Sequence, residues 1–204
     1  MTIEEVVIDA KSTFKIEDRA GSYARLPDAM TAVNAMVFYE KTAINDQGLI
    51  SLYLGADRNR NGYLSWDELQ IFQTRLDKDY RYITNDLAIK PNEFLTQGGG
   101  DCEDWSLVTA GFLRFWGWEA YVGSIGPTSG VGHAVCLVRM NAKPAASHSY
   151  YHFDGTERLA GRVICAGYYV PIDYDQVGRL TSAAKRGWRL RQIYEPESIY
   201  GRRM

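Results

Sequence analysis

The chain of 204 residues contains three cysteines, Cys102, Cys136 and Cys165, and three histidines, His133, His148 and His152. Any reaction that needs a thiol or an imidazole must use one of these six. The odd number of cysteines excludes a fully paired disulfide framework, and no two of them have the CxxC spacing of a common zinc site. The most informative segment is Gln97-Gly98-Gly99-Gly100-Asp101-Cys102-Glu103-Asp104-Trp105. Glycines allow close backbone approach, Asp101 suits a helix N-cap, and Asp104 suits the return half of a capping box. Cys102 then falls in the first turn of a helix, where the dipole and unpaired N–H groups favour a thiolate. Glu103 and Asp104 oppose that charge, so a positive partner, an imidazolium or a metal, is wanted beside the sulfur.

His133 answers that need. It lies in Gly130-Val131-Gly132-His133-Ala134-Val135-Cys136-Leu137-Val138, at the glycine-flanked mouth of an apolar run. Tyr151-His152-Phe153-Asp154-Gly155-Thr156 then offers an acid. In a hairpin turning near residues 143–144, Asp154 would lie nearly opposite His133. The carboxylate would orient the imidazole and the imidazole would take the thiol proton. The Cys102 backbone N–H is the expected oxyanion donor. Gln97, five residues earlier, is either a second donor or a loop residue facing water. Cys136, Cys165, Trp105, Trp116 and Trp118 read as core or groove wall, and His148 and His152 as bystanders of the hairpin.

A second constellation is Asp57-Arg58-Asn59-Arg60-Asn61-Gly62-Tyr63-Leu64-Ser65-Trp66-Asp67-Glu68. It fits the EF-hand template D-x-[DN]-x-[DN]-G-x5-E at every fixed position. A hard cation takes six to eight oxygens. Asp57, Asn59, Asn61, the Tyr63 carbonyl, Ser65 and Glu68 would supply them, and Gly62 would make the sharp turn. Only Asp57 and Glu68 are charged, so the expected calcium affinity is modest, on the order of 10⁻⁵ M or weaker. Apolar residues flank the loop on both sides, Leu49, Leu52 and Tyr53 before it and Leu69, Phe72 and Leu76 after it.

The elements that must position these residues follow from periodicity. Asp28 to about Ala43, with Met30, Val33, Met36 and Val37 on one face, reads as an amphipathic helix. Helices are also expected around Leu49–Tyr53, from about Ser65 to Leu76, and from about Cys102 to Trp116. Strands are expected at Glu119–Ile125, His133–Met140, Tyr150–Asp154 and Arg162–Ile172. Helices in the front half and one helix followed by an antiparallel sheet make an α+β pattern. The expected division is residues 1–79, a helical region carrying the loop 57–68, and residues 80–204, a catalytic domain. The latter ends in a basic tail with Lys185, Arg186, Arg189, Arg191, Arg202 and Arg203 against Glu195 and Glu197.

Composition bounds the function. Hydrophobic residues are 46% and charged residues 24%, ordinary for a folded chain, and the formal net charge of −2 argues against a general nucleic-acid binder. No apolar run approaches membrane-spanning length. The acidic start, Met1-Thr2-Ile3-Glu4-Glu5, shows no basic and apolar leader. The expectation is a cytoplasmic protein acting on a protein or peptide substrate.

Gly-Gly-Asp-Cys-Glu-Asp at 99–104, Leu113-Arg114 before Gly117, Glu119-Ala120-Tyr121-Val122 and Gly-His-Ala-Val at 132–135 together resemble the transglutaminase-like cysteine peptidase superfamily. The Asp-Cys-Glu-Asp and His-Ala-Val-Cys-Leu-Val runs are similar to its bacterial branch, the LapG-type proteinases. The likeness covers about residues 80–175. It implies a papain- or transglutaminase-like core in which the cysteine helix packs on an antiparallel sheet. It also implies a Cys–His–Asp triad and acyl transfer through a thioester, with Cys102 as nucleophile and His133 as general base. In papain-like enzymes a glutamine is an oxyanion donor, and the resemblance implies that role for Gln97. Asp154 is preferred as the acid because it needs no inserted strand. Asp173, in Val170-Pro171-Ile172-Asp173-Tyr174, resembles the acid-bearing strand of transglutaminase cores and is the alternative. Acids flanking the cysteine bind calcium in LapG-type proteins, and Asp101 and Glu103 match those positions. The expected activity is a calcium-binding cysteine hydrolase that cleaves a peptide or isopeptide bond. The alternatives are a protein-glutamine acyltransferase on the same residues and a non-catalytic, calcium-responsive binding module.

Overall fold

The computed structural model describes residues 46–127, 130–181 and 188–202. The helix expected at 28–43 lies outside these residues, as do Lys185, Arg186 and Arg203. The described chain begins with helix α1 (Gln47–Leu54) and helix α2 (Trp66–Asp79). A short strand β1 (Arg81–Tyr82), helix α3 (Pro91–Gln97) and strand β2 (Gly99–Gly100) lead into helix α4 (Cys102–Phe115). The strands β3 (Ala120–Gly126), β4 (His133–Met140), β5 (Tyr151–Phe153), β6 (Arg158–Leu159) and β7 (Arg162–Val163) follow. Strands β8 (Gly167–Asp173), β9 (Gln176–Val177) and β10 (Arg189–Tyr194) complete the order before a 3₁₀ turn at Pro196–Ser198.

Local chemistry explains the helix starts. Asp46 caps α1 by accepting from the Leu49 N–H at 3.0 Å. Ser65 and Glu68 form a reciprocal capping box on α2: the Glu68 N–H donates to Ser65 Oγ and the Ser65 N–H to Glu68 Oε2. At α4 the Asp101 N–H donates to Asp104 Oδ2 at 3.0 Å. Helix α4 is apolar nearly all round, with Leu107, Val108, Ala110, Phe112 and Leu113 fully buried. A helix of that pattern belongs inside the protein rather than on its surface.

The main sheet is antiparallel in the order β10–β3–β4–β8–β5, with β9 folded back on β8. Strand β4 sits in the middle and alternates between two cores. Ala134, Cys136 and Val138 face the layer of α4, while Val135 and Leu137 face a smaller cluster with Ile125, Tyr169 and Leu190. Burial on both faces is why this strand reads as a continuous apolar run. On the other side of α4 lie α1 and α2. Phe72 stacks on Phe112 with ring centroids 3.7 Å apart, and the Tyr53 hydroxyl donates to the Val108 carbonyl at 3.0 Å. Gln73 and Thr109 pair side chain to side chain, both buried.

Two differences from the sequence expectation matter for function. First, β4 and β5 do not form a hairpin. Strand β8 lies between them, pairing Cys136 with Ile172 on one side and Tyr151 with Tyr169 on the other. Second, part of the expected basic tail is a strand of the sheet. Arg189 and Arg191 lie in β10, which pairs with β3 at the sheet edge. The alternation Arg189-Leu190-Arg191 supports that strand, with Leu190 buried, but arginines weigh against it in a composition reading. Cys165, expected in the core, is exposed between β7 and β8, whereas Cys136 is buried as expected.

Candidate active site

Strand direction brings the site together. His133 opens β4 and Asp173 closes β8, and because the two strands are antiparallel neighbours both residues reach the same sheet edge. There His133 Nε2 and Asp173 Oδ1 are 2.7 Å apart. Asp173 is 1% exposed, and its other oxygen accepts from the Thr181 N–H at 2.8 Å. A buried carboxylate with both oxygens engaged holds an imidazole in one orientation. It also leaves Nδ1 as the ring nitrogen available for a thiol proton.

The expected pairing of His133 with Asp154 is corrected by the sheet. Strand β5 pairs with β8, so it runs parallel to β4, and its Phe153 end meets Gly167. Asp154 therefore lies at the opposite end of β8 from Asp173, about 20 Å away at roughly 3.3 Å per residue. It is exposed and accepts from the Thr156 N–H and hydroxyl at 2.8 and 2.6 Å. Those bonds, with a contribution from Glu157, hold its pKa down at about 2. Its neighbour His152 stacks on Tyr168, well away from Cys102.

Cys102 begins α4, held from behind by a polar network. Gly99, in β2, has φ +149 and leaves no room for a side chain: a Cβ there would meet the Arg81 carbonyl oxygen of β1. The Trp105 indole donates to the Gly100 carbonyl. Asp104 is fully buried and accepts from the Ile89 N–H, the Asn85 amide and the Asp101 N–H. Burial, helped by the Asp101 charge and resisted by those hydrogen bonds, pushes its pKa up to about 6. Asn85 also donates its backbone N–H to Asp101 Oδ2. The other Asp101 oxygen, Oδ1, is buried with no hydrogen-bond partner.

Cys102, His133, Asp101 and Glu103 all line one open cavity of about 690 Å³, with Tyr82, Asn85, Ser124, Val131, Tyr174, Trp188 and Arg191 among its other walls. Two of its apolar lining residues are well exposed, Tyr82 at 60% and Val131 at 89%. Tyr174 stands between His133 and Trp105, with ring centroids 5.6 and 5.5 Å away. Arg191, from β10, donates to the Gly130 and Pro127 carbonyls and so ties the strand edge to the loop before His133. Gln97 is not brought into this cavity. Its amide donates to Asn85 Oδ1 and to the Gly99 carbonyl, at 3.1 and 3.3 Å. Asn85, Tyr174, Trp188 and Arg191 were not legible as site residues. Only Tyr174 carried a signal, its place beside Asp173.

The electrostatics at the sulfur are unfavourable to charge. Burial pushes the Cys102 thiol up to about 12. A hydrogen bond from the Ala134 backbone favours the charged form, while the hydrogen bond to Glu103 and the charges of Glu103 and Asp101 oppose it. The Sγ lies 3.1 Å from Glu103 Oε2. Ligand atoms of Asp101, Cys102 and Glu103 all fall within 4.8 Å of one another. Two carboxylates crowded together, one with an orphaned buried oxygen, suit a hard divalent cation. The thiol, a soft donor, does not.

The loop 57–68 turns its oxygens inward. Asp57 accepts from the Asn61 and Gly62 N–H groups, Asn59 Oδ1 from Asn61 and Asn61 Oδ1 from Tyr63. Gly62 has φ +77. Glu68 reaches back across the loop to the Arg58 N–H at 3.0 Å. Burial works against the Glu68 charge, but hydrogen bonds from Ser65, Asn59 and Arg58 outweigh it and hold the carboxyl below its usual range. Leu64 is buried.

A cysteine at a helix start and a histidine held by a buried aspartate therefore line one cavity. No family model matches the chain, and no curated protein matches it. Among solved structures, it is similar to Legionella pneumophila LapG, with TM-score 0.47 and 14% identity over 82% of this chain and 87% of that one. The EGTA-treated form of that protein gives 0.43 and 14% over 77% and 78%. The calcium-bound form gives 0.44 and 15% over 88% and 82%. Among the described residues no helix is long and apolar enough to cross a membrane.

Proposed function

We propose that the chain is a calcium-binding cysteine hydrolase of the transglutaminase-like fold that cleaves a peptide or isopeptide bond through Cys102, His133 and Asp173. The observation that carries this reading is the 2.7 Å contact of buried Asp173 with His133, which lines the same cavity as Cys102. Asp173 fixes the ring. His133 Nδ1 takes the thiol proton as Sγ attacks the carbonyl carbon. The Cys102 N–H, at a helix start without an intrahelical acceptor, donates to the oxyanion. The C–N bond then breaks, and the amine leaves with the proton from His133. Water attacks the thioester, His133 takes its proton, and the carboxylic acid is released as the thiol reforms.

Asp101 and Glu103 are the residues that would hold calcium beside the nucleophile. When bound there, the ion supplies positive charge where the bare site has two carboxylates. The test is iodoacetamide labelling of Cys102 near pH 6, in millimolar calcium and in chelator. Labelling faster than a free cysteine in calcium, and slower in chelator, is expected. A rate no faster than free cysteine in both conditions sinks the proposal.

The loop 57–68 is a second calcium site on this reading, with Asp57, Asn59, Asn61, the Tyr63 carbonyl, Ser65 and Glu68 as ligands. Thermal melting of Glu103→Gln, with and without Glu68→Gln, isolates it from the first. Millimolar calcium is expected to raise the midpoint of Glu103→Gln and to leave the double variant unmoved. Equal shifts in the two proteins would remove the loop from the account.

A further inference from the structure

Asp173 belongs to a tight hairpin, Asp173-Tyr174-Asp175-Gln176, in which Asp173 pairs with Gln176. Tyr174 sits at φ +52, a left-handed conformation uncommon for an aromatic residue and held only where neighbours determine it. The hairpin therefore needs outside support. Besides Trp105 and His133 against the Tyr174 ring, that support comes from α2, the helix that completes the loop 57–68. Gln70 Nε2 donates to the Asp175 carbonyl at 2.7 Å and to Thr74 Oγ1 at 3.2 Å. One turn earlier on the same helix face, Trp66 packs on His148 with ring centroids 5.0 Å apart. His148 in turn fills the space over Gly178, just past β9, where an added Cβ would lie 2.4 Å from its ring. Ser149 donates its N–H to the Gly178 carbonyl. Two points of the hairpin, one on each side of β9, thus rest on residues 66 and 70.

We infer that Gln70, with Trp66 behind it, is a positioning residue for the Cys102–His133–Asp173 site, acting through the β8–β9 hairpin. Its role is to fix the Asp175 carbonyl, and with it the backbone that aims Asp173 at His133 and Tyr174 at the cavity. The loop 57–68 shares Glu68 and the capping box with the start of α2, so the state of that loop is mechanically continuous with the acid of the site. The inference rests on the function proposed above and deepens it by adding a support outside the cavity.

The test uses the full chain, millimolar calcium and the rate of Cys102 alkylation by iodoacetamide. Gln70→Met keeps length and removes the donor without adding charge; Gln70→Lys keeps a donor. Gln70→Met is expected to slow alkylation by about three- to tenfold, the scale of one hydrogen bond. Gln70→Lys is expected to return the rate to within about twofold of the parent chain. An unchanged or faster rate in Gln70→Met overturns the inference while a fast parent chain leaves the site reading standing. Equal slowing in both variants also overturns it, since that is what loss of packing alone would do. A parent chain no faster than free cysteine overturns the site reading, and this inference with it.

Discussion

Asp173→Asn is expected to slow Cys102 alkylation in calcium by about 10²-fold or more, because an amide in place of the orienting carboxylate favours the wrong imidazole tautomer. Asp173 Oδ1 lies 2.7 Å from His133 Nε2, and its Oδ2 is held by the Thr181 N–H. Asparagine fits the same space and can still meet one of these partners, but it carries no charge to stabilise an imidazolium. The effect should therefore appear in thiol reactivity far more than in thermal stability. Asp154→Asn is the matched control. Its carboxylate is exposed and spends its hydrogen bonds on Thr156, so the alkylation rate should stay within about twofold of the parent chain. A slow Asp154→Asn beside a normal Asp173→Asn would reverse the assignment of the acid.

Glu103→Gln should work in the opposite direction when calcium is absent. In chelator the thiol is held up at about 12, by burial first and then by its hydrogen bond to Glu103 and the charges of Glu103 and Asp101. Raising a thiol's pKa lowers the thiolate fraction at every pH below it, so labelling of the parent chain in chelator should still be climbing at pH 9. Removing the Glu103 charge lowers the pKa and raises that fraction. Each unit gained is tenfold in thiolate, partly offset by weaker nucleophilicity, for a net gain of about three- to tenfold in rate at pH 7 to 8. In calcium the same variant should be slower than the parent chain, because it has lost an oxygen ligand. The two signs together are the informative result. A gain in both conditions would mean that Glu103 only suppresses the thiol, and a loss in both would mean that it only shapes the helix start.

The legible parts of the site were those written in local chemistry. Asp101, Cys102 and Asp104 announce a helix start through their spacing, and His133 announces a strand mouth through the glycines before it. The helix and strand carrying them begin at Cys102 and His133 in the fold. Asp173 was legible as the alternative to Asp154, but the choice between them was not, because it depends on strand order, which is a long-range property. Local spacing favoured a β4–β5 hairpin, yet the chain carries β5 past the position beside β4 and returns β8 to fill it. Inserting one antiparallel strand reverses the direction of the next, and that moved Asp154 to the far sheet edge. Gln97 failed for a related reason. Its spacing before Cys102 was suitable, but its amide found nearer acceptors in Asn85 and Gly99. Strand β10 was hidden because its edge position tolerates arginines that a central strand would not.

Arg191, on the last strand, holds the loop that presents His133, and this sets a timetable for the nascent chain. The thiol at position 102 leaves the ribosome long before the acid at 173 and the arginine at 191. Until those residues arrive, His133 lacks its Asp173 partner and the cavity lacks the wall that Trp188 and Arg191 supply. The site is thus assembled from residues that lie far apart in the sequence and enter the fold one after another. The cavity is complete only once β10 has paired with β3, so its assembly waits on a contact of long sequence separation.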